Sequence, residues 1–116
     1  MKLFAEIVAT SLLPGVRAML ALELTGKYNL TQAKAAEKLG LTQAAISQYR
    51  REIRGYNVSI LKKDEHVMAD IRGLAERLKS SEVSNEQLLD DIYKICILAK
   101  ERGLLGKFSG EVLLDH

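Results

Sequence analysis

Apolar side chains recur at intervals of three and four residues over most of the chain, which is the pattern of amphipathic helices. This pattern predicts a first helix over about residues 2–11. Pro14 is typical of a first helical turn, so we expect a second helix from there to about Gly26. Residues 58–63 are expected to be a short helical or irregular piece, and the last six residues, "EVLLDH", allow either a small strand or a loose end. The sequence therefore predicts an all-α fold.

Two short helices are predicted in the middle of the chain. Thr31 is a good N-cap for a helix that Gly40 ends, and Thr42 is a good N-cap for the next helix. The second of these helices is expected to reach about Ile53.

Two longer helices are predicted in the C-terminal half. The first covers about residues 64–80 and has a narrow apolar seam of the kind that packs against another helix. After a serine-rich linker, Ser84 and Gln87 form a capping box for a last helix that reaches about Arg102.

The composition is that of an ordinary globular protein, and it narrows the chemistry. The chain has 116 residues, 47% of them hydrophobic and 28% charged, enough for one domain or for a small domain with an extension. The single cysteine, Cys96, excludes an internal disulfide, and with His66 and His116 far apart we expect neither a metal site nor a cofactor. A free thiol is typical of the reducing cytoplasm.

Acidic and basic residues interrupt the apolar N-terminal segment. Because of these charges we predict neither a signal peptide nor a membrane-spanning helix there. Basic residues are concentrated in the next segment: residues 27–63 carry eight Lys or Arg and two acids, whereas residues 64–116 carry seven basic and eleven acidic residues. This imbalance favours a polyanionic partner for the first half only.

The two middle helices have the features that a DNA-binding helix-turn-helix requires. Ala35 and Ala36 are small enough for the second helix to cross the first, and Gly40 tolerates the positive φ of the turn. Leu39, Leu41 and Ile46 can pin the two helices together, with Tyr49 also expected in the core.

The stretch "LTQAKAAEKLGLTQAAISQYRREIRG" resembles the helix-turn-helix of the lambda-repressor/Cro-like (XRE) superfamily. With the preceding "LLPGVRAMLALELTGKY", it is similar to a group of small archaeal transcriptional regulators. The resemblance covers about residues 12–55 and implies a cytoplasmic, homodimeric, DNA-binding transcription regulator.

The second helix, about 42–53, is then expected to enter the major groove. Gln43 has an amide that suits adenine, and Ala44 is small enough to contact a thymine methyl group. Ser47 and Gln48 share this face and could reach a base.

Phosphate contacts are expected around these base-reading residues, from backbone N–H groups and from polar or basic side chains. The predicted phosphate-binding residues are Gln32, Thr42, Arg50, Arg51 and Arg54, with Lys34 and Lys38 as further candidates for the flanking backbone.

A helix-turn-helix usually binds two half-sites as a dimer. We therefore predict a DNA-binding domain over about 1–60 and a helical, dimerising extension over 61–116. The residues assigned to the dimer interface are Val67, Ile71, Leu74, Leu78, Ile92 and Ile95.

Two alternative functions stay open. The helix-turn-helix could be a protein-interaction module, as in an antitoxin-like protein that binds its partner through the acidic half. The chain could also be a ligand- or redox-responsive sensor with its effector near Tyr93 and Cys96. No phosphate-binding loop or other catalytic motif is present, so we expect no enzymatic activity.

Overall fold

The computed structural model describes residues 3–52 and 58–109. Every regular element within these ranges is a helix, which confirms the predicted all-α fold. Arg54 and the terminal "EVLLDH" lie outside the described residues. The helices are α1 (Phe4–Lys27), α2 (Gln32–Leu39), α3 (Gln43–Arg51), α4 (Val58–Lys62), α5 (Glu65–Ser80), α6 (Asn85–Glu101) and α7 (Leu105–Ser109).

The N-terminal segment is one continuous helix, so the prediction of two helices separated at Pro14 is wrong. A wider π-helical turn, Val8–Leu12, directly precedes the turn that contains Pro14. Proline lacks an N–H group, and its ring crowds the carbonyl four residues earlier; a π-turn at this point accommodates both effects without ending the helix. The helix also continues past Gly26 and ends where Asn29 adopts a φ of 57°.

Helix α1 is the centre of the protein. Its middle part contacts α2 and α3 on the N-terminal side of the chain and α4, α5 and α6 on the C-terminal side. Val16, Leu20 and Leu24 are fully buried in these contacts. Removing each such side chain from water stabilises the fold by roughly 1.5–3 kcal/mol.

Helix α1 is also long and apolar enough, on length and composition alone, to cross a membrane. This finding differs from the expectation that the charged residues in the apolar run exclude a membrane-spanning segment. Half of the most apolar stretch of α1 is buried inside the protein, as is typical of a core helix.

Buried residues from both sides of the predicted domain boundary at residue 60 form a single hydrophobic cluster. Leu20 and Ile46 from the first part join Ile71 and Leu74 from the second part. The boundary itself stays a prediction. The shared core means that the described parts of the two halves are packed against each other through α1.

The six residues assigned to the dimer interface lie inside the chain. Helices α5 and α6 pack against each other and against α1, and these contacts bury all six side chains. None of these side chains retains enough exposure to contact a second copy: Val67 0%, Ile71 0%, Leu74 1%, Leu78 0%, Ile92 2% and Ile95 3%. A dimer interface would therefore have to use other, exposed side chains.

An ion pair closes the end of the α5–α6 pair that is distant from their connecting linker. Asp64 caps α5, its Oδ1 accepting hydrogen bonds from the backbone N–H groups of His66 at 3.1 Å and Val67 at 3.0 Å. The Arg102 Nε, just after α6, donates to the Asp64 Oδ2 at 2.9 Å. The Val67 hydrogen bond, and then Arg102, hold the pKa of the Asp64 carboxyl below its ordinary value, against the opposing effect of partial burial.

We expect Asp64→Asn to flatten the acid limb of the stability profile. Because the folded-state pKa of Asp64 is lowered, its contribution is fully present above the unfolded value of 3.8 and is lost as pH falls through the folded value. The wild type should therefore lose more stability than Asp64→Asn when urea unfolding is compared at pH 7 and pH 3. Asp70→Asn, which removes an exposed carboxylate from α5, is the matched control. Equal losses in all three proteins would contradict the prediction.

Candidate nucleic-acid interface

Helices α2 and α3 each begin at a threonine that caps them as the sequence predicts. The Thr31 Oγ1 accepts a hydrogen bond from the Lys34 N–H at 3.1 Å, and the Thr42 Oγ1 accepts one from the Ala45 N–H at 3.1 Å. These bonds satisfy one of the free N–H groups at each helix start and leave the others available.

The turn between the two helices depends on Gly40. This residue has a φ of 65° and a ψ of 33°, the left-handed conformation that ends α2. The Leu41 N–H then donates to the Ala36 carbonyl at 2.9 Å and closes the helix end. Helix α6 begins against the same turn, since a Cβ on Gly40 would lie 2.8 Å from the Asn85 Oδ1.

We expect Gly40→Ala to lower the free energy of unfolding by about 1–2 kcal/mol, because an L-residue is strained at this φ. The new methyl group also has to displace Asn85. Gly73→Ala is the control, since nothing lies within 4 Å of its added Cβ and alanine favours a helix interior. Urea unfolding of both variants measures the difference. Equal stability of Gly40→Ala and the wild type would show that the turn does not need glycine.

Buried side chains fix α3 against the rest of the protein. Ile46 is 0% exposed, and Ala35 and Ala36, at the place where small residues were predicted, are also buried. Leu41 and Tyr49 are half-buried and pack against the core. This arrangement confirms the predicted packing of the motif and holds the opposite face of α3 outward.

The outward face of α3 carries the predicted base-reading residues. Gln43, Ala44 and Gln48 are exposed, and Ser47 is half-buried. With 3.6 residues per turn, these positions form one continuous stripe on the side of the helix away from Ile46. The contact of these residues with DNA stays a prediction.

Two of the predicted DNA contacts bind each other. The Ser47 hydroxyl donates to the Gln32 Oε1 at 2.5 Å, joining α3 to the start of α2. The bond uses the only proton of Ser47, so its oxygen is left as an acceptor. Gln32 in turn keeps the two protons of its amide nitrogen for an outside partner.

Gln48 is also engaged at the far end of the stripe. Its Nε2 donates to the Glu52 Oε2 at 3.3 Å, one helical turn further along. A carboxylate at this position would be repelled by phosphate, so it limits how closely the end of α3 can approach a DNA backbone.

The basic side chains near the stripe divide into available and engaged groups. Arg50 and Arg51 are exposed and form no ion pair with any residue that the structure describes. Lys34 lies 3.6 Å from Glu37. Lys38 is only 11% exposed and binds Glu82 at 3.5 Å, so it holds α2 to the α5–α6 linker rather than facing outward.

The side chains that could support other chemistry are placed elsewhere. Within residues 3–52 and 58–109, no three His, Cys, Asp or Glu side chains are grouped in a way that could hold a metal ion. Cys96 is fully buried, and burial raises the pKa of its thiol to about 11. At neutral pH this thiol is protonated and weakly nucleophilic, which argues against a redox-sensor role for it.

The sequence did not predict the contacts by which residues outside the helix-turn-helix hold it in place. Asn85 against the Gly40 turn and Lys38 on the linker both join α2 to the C-terminal helices. Neither residue has a distinctive local pattern, and the lysine was interpreted as a phosphate contact because it lies in the basic segment.

In a comparison with known families, residues 21–63 match the family model HTH_3, described as helix-turn-helix. Neither the curated proteins nor the solved structures give a match to the chain. The matched residues run from the end of α1 through α2 and α3 to just beyond α4, and the archaeal origin that the resemblance implied gains no support. The finding supports the XRE-like helix-turn-helix family for this segment of the chain.

Proposed function

We propose that the protein is a sequence-specific DNA-binding transcription regulator that places α3 in the major groove. One observation carries the proposal: the helix after the Gly40 turn, within the matched segment, presents a stripe of small and polar side chains outward. An exposed stripe of this composition fits a major groove, which admits an α-helix and offers hydrogen-bonding groups to it.

Base reading is assigned to the middle and start of the stripe. Gln43 has both a donor and an acceptor in its amide and suits adenine, while Ala44 suits the methyl group of thymine. Ser47, whose proton is held by Gln32, would accept from the amino group of adenine or cytosine. Gln48 would reach a base only by leaving Glu52.

Phosphate binding is assigned to residues around the edge of the stripe. The Gln32 amide nitrogen, fixed in place by Ser47, would donate to a phosphate beside the groove. The Thr42 hydroxyl caps α3 as an acceptor and so keeps its proton for a phosphate, next to the free N–H groups of that helix start. Arg50 and Arg51 supply charge, and Arg54 continues the same series in sequence.

The remaining properties of the proposal follow from charge and chemistry. The C-terminal half is acidic and would be held away from DNA. We propose a cytoplasmic regulator without catalytic activity, acting as a homodimer, since a single helix-turn-helix reads too few base pairs for specific binding.

The direct test is fluorescence anisotropy with two labelled duplexes, one carrying the DNA upstream of the protein's own coding region and the other a scrambled control. Specific binding should be at least about a thousandfold tighter than non-specific binding at physiological salt. If neither duplex binds even at low salt, the helix-turn-helix is a protein-interaction scaffold and the proposal fails. If the two duplexes bind equally, a selected operator from a random pool should replace the upstream DNA before base reading is rejected.

We expect Arg50→Gln/Arg51→Gln to weaken binding to both duplexes equally. Arginines that contact phosphate release condensed counterions, so the slope of log K against log salt should fall by about one for each arginine removed. Arg72→Gln/Arg77→Gln removes the same charge from α5 and should leave the slope unchanged. A slope that is unchanged in the α3 variant would show that these arginines do not contact DNA.

A further inference from the structure

An apolar patch is exposed where α6 meets the beginning of α1. Leu89 and Tyr93 are 52% and 51% exposed, and Leu3 is 62% exposed. The Phe4 ring lies beside Tyr93, with their centroids 6.4 Å apart. Exposed apolar side chains that cluster in this way are typical of an interaction surface, whereas isolated ones are ordinary.

A shallow cavity lies within this patch. Its volume is about 250 Å³, and the residues that line it are Val8, Leu13, Leu89, Ile92, Tyr93 and Cys96. The lining is almost wholly apolar, so the cavity favours an apolar side chain over a charged or polar ligand.

The two ends of the patch carry charges of opposite sign, an acidic residue at one end and a basic residue at the other. Glu86 lies seven residues before Tyr93 and Lys100 seven residues after it, which is two helical turns in each direction along α6. All three therefore share one face of the helix. Lys100 is at the patch edge, because its Nζ lies 4.9 Å from the centroid of the Phe4 ring.

We propose that this patch binds a second copy of the same chain, with the two α6 helices antiparallel about a two-fold axis at Tyr93. In such a pair, a residue before Tyr93 faces the residue the same distance after it in the other copy. Glu86 then faces Lys100 of the partner subunit, and Leu89 faces Ile97 of the partner subunit, each contact occurring twice. The acid-to-base order along one face is thus complementary to itself.

The dimer is expected to be weak in the absence of DNA. Helix α6 has 17 residues and so is about 25 Å long. One helix with the first turns of α1 gives an interface at or below the usual size of about 800 Å² on each partner, so we expect a dissociation constant on the order of micromolar. The inference rests on the proposed function in one respect, namely that two half-sites on DNA would tighten this weak pair.

The first test is sedimentation equilibrium of the full chain without DNA. The wild type should show a monomer–dimer equilibrium, and Tyr93→Glu, which places two like charges at the axis, should be monomeric with an unchanged circular dichroism spectrum. Ala69→Glu adds the same charge to the exposed face of α5 and should dimerise as the wild type does.

Charge reversal gives a sharper test of the antiparallel arrangement. Glu86→Lys alone and Lys100→Glu alone each replace two attractive pairs by two repulsive ones, so each should raise the dimer dissociation constant about tenfold. The combined Glu86→Lys/Lys100→Glu variant restores both pairs and should return to within about twofold of the wild type.

Three results would overturn the proposal: a wild type that stays monomeric, a dimer that persists in Tyr93→Glu, or a combined variant that binds no better than the single ones. A persistent dimer would place the interface elsewhere, and a monomer would leave the patch to a different occupant. Because these measurements contain no DNA, their outcome does not depend on the proposed function. If the protein is a monomer that discriminates between the two duplexes, only this interface is rejected. If it is a dimer that does not discriminate between them, only the proposal of specific DNA binding is rejected.

Discussion

A Gln43→Ala/Ser47→Ala variant is expected to bind specific and scrambled duplexes with nearly equal affinity. A good contact to a base edge provides about 1–3 kcal/mol of discrimination, so the loss of two contacts should reduce specific binding by roughly a hundredfold or more. Binding to the scrambled duplex should change little, because Arg50 and Arg51 are retained. Ser47→Ala alone should also weaken both duplexes slightly, since it releases the Gln32 amide.

The same anisotropy titration measures these effects. Ser80→Ala/Gln87→Ala provides the control, because it makes the same two chemical changes at exposed positions of α5 and α6. If the α3 variant keeps the discrimination of the wild type, Gln43 and Ser47 do not read bases. In that case Gln48, released from Glu52, becomes the residue to replace next.

Ile46→Ala is expected to lower the free energy of unfolding by about 2–5 kcal/mol, a large share of the stability of a protein of this size. Ile46 is 0% exposed and belongs to the continuous core that includes the buried residues of α1. Removing three of its carbon atoms therefore opens a cavity in this core under α3, which packs against both α1 and α2.

Urea unfolding at neutral pH measures this effect, with Ile46→Val as the graded variant, expected to cost only about 0.5–1.5 kcal/mol. Ala44→Ser, on the exposed side of the same helix, should be near neutral and controls for a change in helix propensity. If Ile46→Ala were as stable as Ile46→Val, α3 would be held mainly by its caps and turns rather than by its buried face.

The helix-turn-helix could be predicted from the sequence because local chemistry specifies it. Thr31 and Thr42 accept the capping hydrogen bonds expected of them, and Gly40 adopts the positive φ for which it was singled out. Each of these features depends on a few neighbouring residues. The same local reasoning failed at Pro14, because a π-turn allows a proline inside a helix and leaves no simple mark in the apolar pattern.

The sequence does not separate a core face from a dimer surface, because an apolar stripe has the same appearance whether it faces its own chain or another. Ile71 and Leu74 follow the spacing of a helix–helix seam, and that seam is filled by α6 and α1 of the same chain. Leu89 and Tyr93 belong to an equally apolar face, and only the packing shows that they are exposed.

The bond between Ser47 and Gln32 shows a further limit of sequence reasoning. The two residues are 15 positions apart, and each was assigned a separate contact with DNA. Their proximity depends on the angle at which α3 crosses α2, which a one-dimensional pattern does not contain. Because this bond uses the hydroxyl proton, Ser47 can act toward DNA only as a hydrogen-bond acceptor.

The position of α1 between α3 and α6 has a consequence for the geometry of an operator. Since α1 packs against both helices, α3 cannot swing relative to α6 without disturbing close-packed side chains such as Leu20. Two chains joined through α6 would therefore carry their α3 helices at one fixed separation. Such a pair would accept half-sites at a single spacing, about one turn of DNA or a multiple of it, and would reject operators with a few inserted base pairs.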